Sequence, residues 1–320
     1  MLRSLSSAVS GLSSEQTAMD VTGNNIANST TSGFKSTEVQ FGSLLSQTIT
    51  SGTTPNPAAG VAGGQNPQAV GLGVGVSAMN QQMGQGSLQE TGVPTDLALQ
   101  GNGFFVLNSG TATYYTRAGD MQLDEAGNLV EGSTGWQVQG WSAVTAGTGT
   151  GPATLSAWPP SATYTTTAPT NLTIPQEIAG GSQGTTAGDT YGLQSYSINA
   201  DGTITGVYAQ IPAAGTAPTN TATVSVVLGQ IALASVPNPG GLQPVGNTAY
   251  SVAPDSGVPA IGAPGSGGHA TITAGALEMS NVNLAQEMSN LVTFEAGYEA
   301  DAKVISTAQQ MIAALLAMKL

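Results

Sequence analysis

The chain has 320 residues, 40% of them apolar and only 7% charged, with a formal net charge of −13, five Lys or Arg and no cysteine. A charged fraction far below the usual ~25% leaves Ser, Thr, Asn, Gln and Gly to face water. So few cations exclude a nucleic-acid binder, which needs Lys and Arg to displace phosphate counterions, and they argue equally against anionic membrane surfaces. Without cysteine there are no disulfides and no thiolate metal sites.

Apolar residues at Leu2, Leu5, Val9, Leu12, Met19 and Ile26 recur in steps of three, four and seven, which predicts one amphipathic helix over 2–28. Gly11 is a weak point within it, costing roughly 1 kcal/mol against Ala. Ser4, Ser6, Ser7 and Ser10 interrupt the apolar run, so this is a helix stripe and not a signal-peptide core. No stretch of the chain approaches the ~20 apolar residues of a membrane span. The helix gives way at Gly23–Asn28, a turn follows over 29–33, and Phe34 and Phe41 offer two anchors. Residues 51–70, rich in Pro, Gly and Ala without periodicity, read as a linker.

A β-rich middle begins with the alternation Val74, Val76, Ala78. Leu97 and Leu99, then Phe104 to Leu107, read as strands joined by a tight turn at Gly101 and Gly103. Asp124–Gly127 is flanked by strand-like residues as a hairpin, and Asp201-Gly202 between Ile198 and Ile204 is the strongest hairpin signal in the chain. Residues 142–188 are dominated by Thr, Ala, Pro and Gly, with Trp141 and Trp158 as candidate plugs. Val224–Leu228 and Ile231–Leu233 continue the strands, and 253–269 reads as loose.

The last helix is predicted to start at Ser280–Asn283, either of which suits a cap, and to run to the terminus. Its seam is Leu284, Met288, Leu291, Tyr298, Ala302, Ile305, Ile312 and Leu316, the rhythm of helices that wind around one another. A second stripe lies beside it: Val304, Ala308, Met311, Leu315 and Met318. A helix apolar on two faces packs on more than one neighbour.

Chemistry-bearing patterns are sparse. His269, the only histidine, sits in Gly-Ser-Gly-Gly-His and reads as an exposed loop residue. Gly71, Gly73 and Gly75 precede a strand-like segment, so they are turn glycines and not a dinucleotide loop. Thirteen Asp or Glu between 118 and 302 are scattered singly. No catalytic, metal or cofactor site is assigned.

Four ordered blocks carry a resemblance. Asn24-Asn25-Ile26-Ala27-Asn28 with Gly33-Phe34-Lys35 resembles the N-terminal signature of the bacterial flagellar rod and hook proteins. Asp96 to Gly101, then Gly103-Phe104-Phe105 and Tyr115-Thr116-Arg117-Ala118-Gly119, resembles the family's central block. Gly275 to Leu284, containing Asn281 and Val282, resembles the block before the terminal helix, and Tyr298-Glu-Ala300 with Ile305-Ser-Thr307 matches within it. The signature and self-assembly residues are therefore Asn24 to Asn28, Gly33, Phe34, Gly101, Gly103, Phe104, Phe105, Asn281, Val282, Leu284, Met288, Leu291, Tyr298, Ile305, Ile312 and Leu316.

The resemblance implies an α+β axial structural protein. Terminal helices would form an axial coiled coil around a mainly antiparallel β middle of one or two domains. The expected division is an N-terminal axial segment over 1–70, a β body over 71–274 with 141–220 as a possible reduced outer domain, and a C-terminal axial helix over 275–320. It further implies a helical homopolymer in the flagellum, neighbours among the distal rod, hook cap and hook–filament junction, and passage through the flagellar export apparatus without a cleaved signal. Neither nucleic acid, membrane insertion nor a cofactor is implied. Within the family, Gln65-Asn-Pro67, Gly71 to Val76 and Asn283 to Met288 look more like hook than distal rod members, whereas the short middle keeps the distal rod reading open. A secreted, polysaccharide-active β enzyme with helical oligomerisation ends is the reading outside this class. It requires two carboxylates facing each other across an aromatic cleft.

Overall fold

The computed structural model describes residues 2–54, 64–145, 152–156, 168–181, 183, 185, 189–211 and 223–318. It divides into two compact units. One comprises Met1–Ser29, Ser36–Gln82 and Val282–Leu320, and the other Thr30–Lys35 and Met83–Asn281.

The first unit is built on two helices, α1 (Leu2–Ala27) and α2 (Leu284–Ala317). Asn283 caps α2 by accepting from the Ala285 and Gln286 N–H groups at 3.2 and 3.4 Å, which satisfies two donors the first turn leaves free. The helices pack on each other antiparallel, since Asn25 meets Glu287 and Gly11 meets Asp301. Strand Thr37–Ser43 pairs antiparallel with Val74–Gln81, with a bulge between Gln40 and Phe41. Beyond it Ser46–Thr50 pairs with Gln68–Gly71. Residues 68–70, expected within a linker, are thus strand, because the partner segment supplies ladder bonds that local composition does not announce. Residues 55–63 of that expected linker lie outside the described residues.

Among the described residues the ladders of the second unit are antiparallel, with one isolated parallel bridge between Ala153 and Ile178. Its longest path runs Glu177–Ala179, Thr190–Ile198, Thr203–Ile211, Val224–Ile231, Gln137–Ser142, Phe104–Asn108, Thr113–Thr116, Ala249–Ser251 and Gln243–Gly246. Both hairpin turns read from sequence are present. Asp124 holds the first, its carboxylate accepting the Asn128 N–H at 2.7 Å and side-chain Nδ2 at 2.8 Å. In the second, Asp201 Oδ1 accepts the Thr203 N–H at 3.1 Å, and Gly202 takes the φ of +76° that the turn demands.

The Gly101–Gly103 turn also forms, but the strands it joins do not pair with each other. Leu97–Gln100 pairs with Thr271–Ala274, whereas Phe104–Asn108 pairs with Thr113–Thr116, Gln137–Ser142 and Leu233–Ser235. Consecutive side chains of the latter strand point to opposite faces. Phe105 and Leu107 enter the large core with Leu97, Leu129, Ile174 and Tyr208, while Phe104 and Val106 enter a smaller one with Tyr115, Leu242 and Tyr250. A strand covered on both faces explains four apolar residues in a row. Trp141 is buried in a third small cluster, and Trp158 lies outside the described residues. The described part of 141–220 contributes Thr190–Ile198 and Thr203–Ile211 to this same sheet.

Candidate functional site

In the helix unit, each helix seats a carboxylate of the other on a glycine. A Cβ at Gly297 would lie 2.8 Å from Glu15 Oε1, and one at Gly11 would collide with Asp301 Oδ2. Gly11, a weak point by helix propensity, is the position that lets α2 come close. Glu15 Oε2 is buried without a hydrogen-bond partner among the described residues. Burial, and secondarily the neighbouring Asp301, pushes the Glu15 carboxyl above its ordinary range. Asn25, almost fully buried, locks the first strand onto α1. Its Nδ2 donates to Thr37 O at 2.8 Å and its Oδ1 accepts Thr37 N–H at 3.0 Å, with Glu287 Oε1 3.3 Å from Nδ2. Phe41 meets Phe294 edge to face, with centroids 6.0 Å apart.

The α2 face turned to α1 carries Leu291, Phe294, Gly297, Asp301, Ile305, Ala308 and Ile312. Leu284, Met288, Tyr298 and Leu316 from the same predicted seam stand exposed, as do Val292, Val304, Met311 and Leu315. The described signature residues of the N-terminal block also divide. Asn25 is buried and Ile26 half-buried, Asn24 and Ala27 are exposed, and Asn28 donates through Nδ2 to Asn24 O at 3.0 Å. Val282, partly covered, belongs to this helix unit.

In the β unit, three other signature segments converge on one buried charge cluster. Glu278 Oε1 accepts Lys35 Nζ at 2.6 Å and the Gly86 N–H at 3.0 Å, while Oε2 accepts Arg117 Nη1 at 3.2 Å. Lys35 Nζ donates further to Gly84 O at 2.8 Å, and Arg117 Nη2 to Gly101 O at 2.7 Å. The Arg117 guanidinium carbon lies 5.4 Å from the Phe104 ring centroid. Gly33, at a φ of +68°, presents its N–H to Glu278 O at 2.8 Å, and a Cβ there would sit 2.5 Å from Ala118 N. Asn281 N–H reaches Phe34 O at 3.4 Å. Burial holds the Lys35 ammonium below its ordinary pKa, against the pull of Glu278 and aided by Arg117.

Lys35, Arg117 and Glu278 lie inside or beside quoted motifs, yet the reading from sequence gave them no shared role. The available signal was that two of only five cations fall within signature blocks. The cluster fastens segments far apart in the chain, and both Glu278 oxygens are taken up by Lys35, Gly86 and Arg117. His269 differs from its expected exposure. It is half-buried against Gly262, its Nδ1 is enclosed without a partner among the described residues, and burial lowers its pKa. Among the described residues no group of three or more His, Cys, Asp or Glu could hold a metal ion, and no helix is long and apolar enough to cross a membrane.

A self-contained β unit, together with a helix pair that leaves large apolar side chains uncovered, defines a subunit built for assembly. Family comparisons agree. Residues 5–35 match the family described as flagella basal body rod protein, 98–206 the flagellar hook protein FlgE/F/G D1 domain, and 273–318 the flagellar basal body rod FlgEFG protein C-terminal. The chain is 32% identical over 320 residues to the flagellar basal-body rod protein FlgG of Bacillus subtilis, covering all of both. It is 50% identical over 143 residues to the flagellar hook protein FlgE of Treponema pallidum, a match spanning 45% of this chain and 30% of that protein. Against the flagellar hook protein FlgE of Borreliella burgdorferi it is 28% identical over 456 residues, covering all of both. The chain belongs to the flagellar rod and hook protein family, a family of axial structural proteins of the bacterial flagellum and not of enzymes. Lys35, Arg117 and Glu278 each fall in a different one of the three family segments.

Proposed function

We propose that this chain is a subunit of the flagellar hook, which polymerises through its terminal helices into the tubular joint between basal body and filament. The observation that carries this reading is the 50% identity over 143 residues to a hook protein, repeated at 47% over 143 residues in the Helicobacter mustelae hook protein. Exposed apolar residues on α2 supply the surface for copies of the same chain, since a helix pair in water gains little until such faces are covered. Axial neighbours at either end, and passage through the flagellar export apparatus, accompany the proposal. The distal rod is the second reading, favoured by the 32% identity to a rod protein from end to end of both chains. Electron microscopy of basal bodies from a deletion strain separates the two. A complete rod lacking its hook is the expected result, and loss of the distal rod itself would overturn it in favour of the second reading.

A further inference from the structure

The buried cluster holds two cations against one carboxylate. Lys35 and Arg117 both pair with Glu278, and among the described residues neither forms another ion pair. Among the described residues one positive charge therefore has no carboxylate of its own, at a site where the Lys35 and Glu278 side chains are fully enclosed and Arg117 nearly so. Such a charge is costly in a protein interior unless an anion reaches it or a proton leaves. Arg117 Nε is also buried, with no hydrogen-bond partner among the described residues. The depressed Lys35 pKa is a consequence of the same environment.

Beside Arg117 lies a cleft of about 170 Å³, walled by Phe104, Val236, Pro237 and Pro239, with Asn102 and Ser235 also lining it. A void of ~150 Å³ accepts a guest the size of benzene, so this one has room for a methylene carboxylate. Its apolar walls shield an ion pair from water, and the Asn102 amide and Ser235 hydroxyl are further donors. The chain carries 18 Asp and Glu against five cations, so the charged groups that another copy can offer are mostly carboxylates.

We infer that the cleft beside Arg117 receives an Asp or Glu side chain from a second copy of this chain. The inference rests on self-assembly as proposed above. The occupant completes the charge balance that Glu278 leaves unfinished and ties contact between copies to the junction of the three signature segments.

Two measurements on the full chain test it. In the first, acetate is titrated into the unpolymerised protein at constant ionic strength, and the Arg117 Nε–H resonance is followed. A saturable shift with acetate that equal chloride does not reproduce is expected, and no shift overturns the inference. In the second, Ser235→Glu is compared with Ser235→Gln. The Glu variant is expected to occupy the cleft from within, abolish the acetate shift and slow addition to parent polymer about tenfold, while Gln slows it less than about twofold. Equal assembly of both variants would show that the cleft takes only a small free anion, which overturns the second-copy occupant. The acetate arm needs no polymer. Failure of the parent chain to polymerise would therefore refute self-assembly separately from the chemistry of the cleft.

Discussion

The two units spend their apolar residues differently. In the β unit Leu97, Phe105, Leu107, Leu129 and Ile178 are wholly buried, each worth about 1.5–3 kcal/mol over exposure. In the helix unit the buried hydrophobics among the described residues are three alanines, Ala8, Ala18 and Ala308. Its large side chains are at most partly covered, and many stand open, with Val292 65% and Leu316 64% exposed. A core of its own stabilises the β unit. The helix unit, with large apolar side chains left open, gains stability when something covers its outer faces, which under the proposed function is the neighbouring copy.

The largest effect expected from breaking this contrast is at Glu278. Glu278→Ala leaves Lys35 and Arg117 buried without an anion, which is expected to cost about 3–5 kcal/mol of β-unit stability by urea denaturation. Lys35→Met, leaving the balanced Arg117–Glu278 pair, is expected to cost much less. Equal losses would show that the cluster's charge balance is irrelevant.

Next in size is a comparison of the two faces of α2. Leu291→Asp and Ile305→Asp, on the face against α1, are expected to weaken the helix pair by about 1–3 kcal/mol and lower helical circular dichroism. Val292→Asp and Met311→Asp, on exposed positions, are expected to leave the monomer spectrum intact yet stop polymer growth. The β unit's unfolding midpoint is expected to hold in all four. If the exposed-face variants polymerise normally, those faces are not the assembly surface.

The smallest effect sharpens the helix unit alone. Its Glu15 carboxyl keeps its proton to higher pH than in the unfolded chain, so the folded state binds more protons between the ordinary and the raised pKa. Stability contributed by this group is therefore present at acid pH and is lost as pH rises through that window. Helical signal is expected to melt later at pH 5 than at pH 7.5. Glu15→Gln is expected to flatten that dependence, changing stability by less than about 1 kcal/mol because the group is partly solvated and screened. An unchanged pH profile in Glu15→Gln would assign the effect to Glu287, whose carboxyl is raised as well, first by burial.

Much of the local structure was legible in the sequence. The three-and-four rhythm marked both terminal helices, Ser280–Asn283 bracketed the start of α2, which the structure places at Asn283, and Asp124 and Asp201-Gly202 marked the two hairpins. These signals succeed because a periodic pattern, a cap or a turn residue acts within a few positions of itself. The rhythm did not say which α2 face meets α1, because Leu291 and Val292 are adjacent and equally apolar, yet one is partly covered and the other exposed. Nor could it bring Lys35 to Glu278 across 243 residues, or Arg117 to Glu278 across 161. Those meetings depend on strand partners such as Leu97–Gln100 with Thr271–Ala274, whose registers are set together by one shared core. The sequence by itself determined where helices and turns would form, through short-range sterics and capping. Only the tertiary structure decided what each buried charge would face, because that depends on packing the whole β unit at once.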